Sequence, residues 1–178
     1  KDKATIGILW AAHFQDTCAA FGMEEALMKM ITHPEVYKAV DRKIMDFYLK
    51  AAEIFYEATT GSLHSVLIGN DFGSQRGLML SPDMIREFVI PGAAELIQQA
   101  HAYDIKVIYH SCGSIVEVIP DLVAAGADTI HPIQALAKDM DPENLKNKFG
   151  DSVSFCGGVD TQDLLVNGSP EEVEATVK

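Results

Sequence analysis

The sequence predicts an α/β fold on a parallel sheet, of the (β/α)8 TIM-barrel type, as an incomplete barrel of about five parallel strands with their helices. Three observations predict it. Short β-branched runs recur as nearly continuous apolar segments, as strands covered on both faces do. Amphipathic stretches with their own start signals separate these runs. Polar residues collect at the C-terminal ends of several runs, where barrel enzymes keep their chemistry, and no Gly-rich dinucleotide fingerprint follows any of them, which favours a barrel over a doubly wound sheet.

Taken in order, the first strand is expected at Thr5 to Trp10. Thr32-His33-Pro34-Glu35 then has the form of a capping box, in which a hydroxyl and a carboxylate satisfy orphan amides of one helical turn. Ser65 to Gly69 is the second strand, and Ser81-Pro82 places a capping hydroxyl before proline at the first helical position. Lys106 to His110 is the third strand, followed by a second capping-box pattern, Ser114-Ile115-Val116-Glu117. The fourth strand, Asp128 to His131, precedes the helix start Asp141-Pro142, and the fifth, Ser152 to Cys156, precedes a third capping box at Ser169-Pro170-Glu171-Glu172. Gly126 and Gly150 stand where helices should stop, each before a strand. No repeat, linker or low-complexity stretch divides the chain, so residues 1–178 are expected to form one domain.

With 14 Lys and Arg against 26 Asp and Glu, the formal charge is −12. Such a chain is a poor partner for nucleic acid or an anionic membrane, and Arg42, Arg76 and Arg86 are its only arginines for bidentate phosphate contacts. No apolar stretch approaches the roughly 18 residues of a membrane span, and Lys1 to Thr5 begins no signal-like segment, so a cytoplasmic location is expected. Three cysteines cannot all pair; free or metal-bound thiols fit better, with Cys18 reading as core. The methionines read as core filler, and Glu24-Glu25 and Glu171 to Glu174 as helix-dipole partners without a catalytic role.

The sharpest chemical signal is His110-Ser111-Cys112-Gly113 at the end of the third strand. Residues i and i+2 of an extended chain point to one face, so an imidazole and a thiol project together into the barrel mouth. Catalytic zinc takes about three N, S or O ligands and leaves a position open. Cys156, closing the fifth strand, is the candidate third ligand, as a second thiolate; a buried Cys acting as a small hydrophobe is the alternative. Asn70-Asp71-Phe72-Gly73-Ser74-Gln75 follows the second strand and reads either as a turn or as a rim in which Asp71 is a charge stabiliser or general acid/base. Asn70, Gln75, Arg76, Gln134, Asp160 and Gln162 are the candidate substrate-binding side chains at these rims. His131, at the end of the fourth strand, reads as a ligand or proton carrier, or as a histidine packed under Pro132.

The segments Gly69 to Gln75, Ser81-Pro82 with Arg86 to Pro91, His110 to Ser114, Pro132-Ile133-Gln134 and Gly157 to Gln162, in that order, resemble the uroporphyrinogen decarboxylase superfamily. The resemblance covers almost the whole chain and implies the middle and later units of a (β/α)8 barrel, without its first strands and its last. It also implies one of two chemistries. The decarboxylase proper is cofactor-free and removes acetate carboxyls from a porphyrinogen, a lyase reaction for which Asp71 is the candidate pyrrole-facing carboxylate. The branch resembling the coenzyme M methyltransferases binds zinc through a His-x-Cys pair and a later Cys. There, zinc holds a thiol that takes a methyl group from a methylated corrinoid (a cobalamin or corrinoid protein).

His110 and Cys112 match the second pattern, and one rim arginine, Arg76, is thin for a substrate with many carboxylates. The methyltransferase-like reading therefore leads, with catalytic Asp71, His110 and Cys112, and with zinc on His110, Cys112 and Cys156. In that branch the third ligand comes from the last strand, whereas Cys156 lies one strand earlier. The partners implied are a small-molecule thiol or tetrapyrrole, a corrinoid protein, and a second copy or the remainder of a parent barrel. A barrel fragment serving as a binding or assembly unit is the non-enzymatic alternative.

Overall fold

The computed structural model describes residues 3–177; Lys1, Asp2 and Lys178, which fall within the domain expected over 1–178, lie outside the described residues. The chain runs β1 (Ile6–Ile8), α1 (His13–Phe21), α2 (Met23–Thr32), α3 (Pro34–Ala58), β2 (Ser65–Gly69), a short hairpin of β3 (Gly73–Ser74) and β4 (Gly77–Leu78), α4 (Pro82–Phe88) and α5 (Ile90–Ala102). It continues through β5 (Lys106–His110), a 3-10 turn at Val116–Val118, α6 (Ile119–Ala125), β6 (Thr129–Ile133), α7 (Pro142–Phe149), β7 (Ser154–Gly157), α8 (Leu164–Asn167) and α9 (Pro170–Val177). Five strands pair in parallel in the order β1-β2-β5-β6-β7, which is chain order with helices between them: an open piece of a (β/α)8-type barrel.

The two faces of this sheet differ sharply. Val66 and Ile68 of β2, Val107 and Tyr109 of β5 and Ile130 of β6 are buried in the core beneath the helices. Each such side chain contributes about 1.5–3 kcal/mol. The longest helix, α3, turns Tyr37, Met45, Ala52 and Tyr56 inward at near-whole helical turns, and α5 adds Leu96, Ile97 and Ala100. On the opposite face Ile6 is 52% exposed, Ile8 71% and, just beyond β1, Trp10 43%. The face that lines the interior of a closed barrel is therefore open here.

Helix starts follow the sequence in part. The reciprocal capping box forms at Ser169, whose amide donates to Glu172 Oε2 at 2.7 Å while Glu172 N donates to Ser169 Oγ at 3.3 Å. Ser81 and Asp141 accept from the amides of Met84 and Asn144, as Ser-Pro and Asp-Pro starts predict. The other two boxes do not form. Thr32 Oγ1 donates back to the Met28 carbonyl, leaving His33 at the start of α3 without a side-chain cap. Ser114 is buried with its amide on the Ser74 carbonyl, and a 3-10 turn replaces the capped α-helical turn. Gly126 ends α6 at φ +106°, but Gly150 ends α7 in right-handed backbone, so only the first is a left-handed stop. Helices α1, α2 and α5 carry no side-chain cap at all, which is why no start signal announces them.

Strands β2 and β5 have the expected bounds, and the other three are shifted by one or two residues at their ends: β1 is shorter than Thr5 to Trp10, β6 runs on to Ile133, and β7 begins at Ser154. Among the described residues no helix is long and apolar enough to cross a membrane.

Candidate metal centre

Parallel register brings the strand ends together. Gly69 of β2 is paired with His110 of β5, and His110 with His131 of β6. A side chain at position 69 is excluded by this approach, since its Cβ would fall 2.0 Å from the His110 carbonyl oxygen. The loop after β2 thus passes directly over the end of β5 and delivers Asp71 to it. Gln15 of α1 helps to hold it there, its Oε1 accepting from Asp71 N at 3.0 Å.

His110 and Cys112 point to one side of the chain while Ser111 between them is buried on the other, its Oγ accepting from Phe72 N at 3.4 Å. Cys112 Sγ lies 3.4 Å from His110 Nε2, and Asp71 Oδ1 lies 3.3 Å from the same nitrogen. Asp71 Oδ1 also accepts from Cys112 N at 2.8 Å. One ligand atom from each of Asp71, His110 and Cys112 falls within 4.8 Å of the others, all three half-buried. The other imidazole nitrogen of His110, Nδ1, is hydrogen-bonded to His131 Nδ1 at 2.9 Å, and the Trp10 ring meets His110 edge-on with centroids 4.7 Å apart.

The loop behind Cys112 is fixed by backbone contact. Gly113 sits at φ +84°, and a Cβ there would meet backbone of Gly73 and Ser74 at 2.6 Å, so the hairpin β3–β4 lies flat against it. Gly113 N also donates to Gln134 Oε1.

These contacts set the local electrostatics. The bond to His110 pulls the Asp71 carboxyl down to about 2, helped by the Cys112 amide and opposed by burial. Burial, and then the neighbouring Asp71 charge, push the Cys112 thiol up to about 11. Burial and the proximity of His110 both lower the pKa of His131. An ionised carboxylate, an imidazole and a protonated thiol thus face one another. This O, N, S set has the ligand types that zinc takes, and a cation among them would displace the thiol proton.

Beside Cys112 opens a cleft of about 350 Å³ lined by His131, Ile133, Gln134, Val159 and Gln162 among others. Its walls come from the C-terminal ends of β6 and β7 and the segments that follow them, so Gln134 and Gln162 share one cavity with Cys112.

Other candidate residues are placed differently. Cys156 is exposed on β7 and lies outside the Asp71–His110–Cys112 group. The reason is geometric: β6 separates β7 from β5, and the β6–β7 register slips between Ile130 and Ile133. Asn70 is buried instead of facing a rim; its Oδ1 accepts from Phe14 N at 2.9 Å, anchoring α1 to the end of β2. Gln75 and Arg76 occupy the exposed hairpin tip and do not line the cleft. Asp160 borders the cleft, but its carboxylate accepts from the amides of Gln162, Asp163 and Leu164 and so closes the turn before α8. Ser114, buried without a capping role, adds no helix start to stabilise a Cys112 thiolate.

Two contributors leave no local signal in the sequence, and a third does. Trp10 and Gln15 come from the first β/α unit and reach the centre only through tertiary packing. His131 carried a visible signal, because two histidines that close consecutive parallel strands must lie side by side.

Comparison with known proteins bears on the family and the fold. The uroporphyrinogen decarboxylase (URO-D) family model matches residues 8–178. A methylated-thiol–coenzyme M methyltransferase of Methanosarcina mazei is 26% identical over 153 residues, covering 85% of this chain and 38% of the relative. A solved structure of a methyltransferase from the same organism superposes with a TM-score of 0.59 at 15% identity, covering 99% of this chain and 58% of that one, a likeness of fold. The chain thus spans well under two thirds of the length of these relatives. Its fold, the order of its motifs and a family match over nearly its whole length lead to one conclusion: the chain belongs to the uroporphyrinogen decarboxylase family.

Proposed function

We propose that the chain carries the thiol-activating centre of a methyltransferase-like enzyme, with zinc held by Asp71, His110 and Cys112 and a small thiol as methyl acceptor. The observation that carries this reading is the gathering of three different ligand types within 4.8 Å beside an open cleft. Zinc bound there would act as a Lewis acid that keeps a substrate thiol deprotonated at neutral pH.

The chain's own residues supply the rest. Asp71 remains ionised at neutral pH and fixes the Cys112 backbone through its amide. Gln134 does the same for Gly113, so the two residues that set the position of the sulfur are both tied down. The cleft offers Ile133 and Val159 as apolar wall and Gln162 as a polar contact for the body of the thiol. In the reaction the acceptor sulfur loses its proton to solvent and forms a bond to the methyl carbon. A methylcorrinoid would supply that methyl group and would retain the electron pair of the bond it gives up.

Support also comes from the methyltransferase relative, whose name specifies a methylated thiol and coenzyme M. The decarboxylase reading needs Asp71 free to face a pyrrole, yet its Oδ1 is committed to Cys112 N and lies beside His110. The test is metal content. Purified chain should hold about one zinc, and Cys112→Ala should lose it; a well-folded protein that takes up no zinc on reconstitution would refute the reading.

A further inference from the structure

We propose that His131 is the positioning residue of this centre: by accepting a hydrogen bond from His110 Nδ1–H it holds the His110 ring in the one tautomer that offers Nε2 to a divalent cation. The proposal rests on the metal reading above and concerns what makes His110 competent as a ligand.

The argument begins with proton counting. The two Nδ1 atoms lie 2.9 Å apart, so exactly one of the two rings contributes a proton to that bond. When His131 donates, a neutral His110 carries its proton on Nε2, where Asp71 Oδ1 at 3.3 Å accepts it. When His110 donates, its Nε2 presents a lone pair toward the Asp71 carboxylate and the Cys112 sulfur, 3.4 Å away. The protonated Cys112 thiol can donate to only one of these two acceptors, so the lone pair and the carboxylate are left facing each other unless a cation lies between them. The first arrangement therefore suits the metal-free chain and the second the loaded one.

Passing from one to the other balances within the pair. His110 gives up its Nε2 proton to solvent and receives the Nδ1 proton of His131. His131 in turn takes a proton at Nε2 from solvent, which reaches its ring through the cleft it lines.

The fold holds the two rings for this exchange. His110, the last residue of β5, and His131, midway along β6, are register partners with ring centroids 5.0 Å apart. Trp10 packs against the His110 ring, whose side chain is only 13% exposed. Ring rotation is thus restricted, and the tautomer becomes the variable that decides whether Nε2 can bind. Hydrogen-bond partners of this kind typically change metal affinity by about 10- to 100-fold.

The experiment is zinc affinity by competition with a chromophoric chelator, on wild type, His131→Phe and His131→Asn. Phe keeps a ring and removes the acceptor; Asn removes the ring and puts an amide oxygen where Nδ1 stood. We expect His131→Phe to bind zinc about 10- to 100-fold more weakly and His131→Asn to stay within about threefold of wild type. Nitrogen-15 NMR of the histidine side chains should show His131 changing from the Nδ1–H to the Nε2–H form as zinc is added. Affinity unchanged in His131→Phe, or Asn as weak as Phe, overturns the role of His131 while leaving the metal centre standing. A wild type that binds no zinc refutes the metal reading itself and this proposal with it.

Discussion

His110 Nε2 stands 3.4 Å from Cys112 Sγ, two residues along the chain, and the carboxylate of Asp71 braces both members of the pair. The strand end aims the two side chains, but their spacing depends on a loop that arrives from β2 and on the glycines that let it pass. Changes that touch none of the three ligand atoms should therefore disturb the centre.

Gly113→Ala is the clearest case. Position 113 has φ +84° and backbone neighbours 2.6 Å from any Cβ, so an alanine must displace either its own loop or the β3–β4 hairpin. A loss of about 2 kcal/mol or more is expected from strain and clash together. Urea unfolding should show the lower midpoint, and zinc affinity should fall in parallel. An unchanged midpoint would mean that the loop does not need this close approach.

Gly92→Ala should reverse the usual sign of a helix substitution. Alanine in place of a helical glycine ordinarily gains up to about 1 kcal/mol, and Gly92 lies in the first turn of α5. In α5, however, a Cβ at position 92 would lie 2.7 Å from His13 Cε1, and that fully buried ring is held by Asp41 at 2.8 Å from Nδ1. The variant is expected to lose about 1–3 kcal/mol, as overpacked cores do. Thermal unfolding decides it; a raised melting temperature would show that α5 and His13 yield freely.

In metal-free protein the Cys112 thiol is pushed up to about 11, chiefly by burial and then by Asp71. Since the thiolate is the reactive form, its alkylation rate should rise about tenfold per pH unit between pH 7 and 10 without levelling off. Asp71→Asn removes the neighbouring charge, so the curve should move to lower pH. Mass spectrometry of iodoacetamide-treated protein follows Cys112 separately from the exposed Cys156. A plateau below pH 9 in wild type would contradict the assigned environment.

The open sheet predicts association. Strands β1 and β7 are its edges, and Ile6, Ile8 and Trp10 leave apolar surface uncovered. The 178-residue chain expressed by itself is expected to self-associate at low micromolar concentration. Light scattering should report dimers or larger species, and Ile8→Lys should shift the distribution toward monomer. A stable monomer in the unsubstituted chain would contradict this reading of the exposed face.

What was legible in the sequence follows from what is local. Continuous apolar runs located every strand of the five-stranded sheet, because a strand covered by helices needs them. The Ser-Pro and Asp-Pro helix starts and the Ser169 capping box were equally local and formed as written. Thr32 and Ser114 had the same pattern but took other partners, the Met28 carbonyl and the β3–β4 hairpin, since a capping signal is outweighed wherever packing claims the residue. At the centre, the His110–Cys112 pair was visible because i and i+2 share a face. Placement of Asp71 against that pair was not readable, because it depends on inter-strand register and on the close approach of Gly69 to His110.

The most direct test is X-ray absorption at the zinc edge of the loaded 178-residue chain. The Asp71–His110–Cys112 centre predicts a single sulfur at about 2.3 Å, one imidazole with its outer-ring scattering, and the remaining ligands oxygen or nitrogen at about 2.0–2.2 Å. Asp71→Asn should weaken binding without changing the sulfur count. A first shell with two sulfurs would put Cys156 in the place given to Asp71, and a shell with no sulfur would contradict the centre altogether.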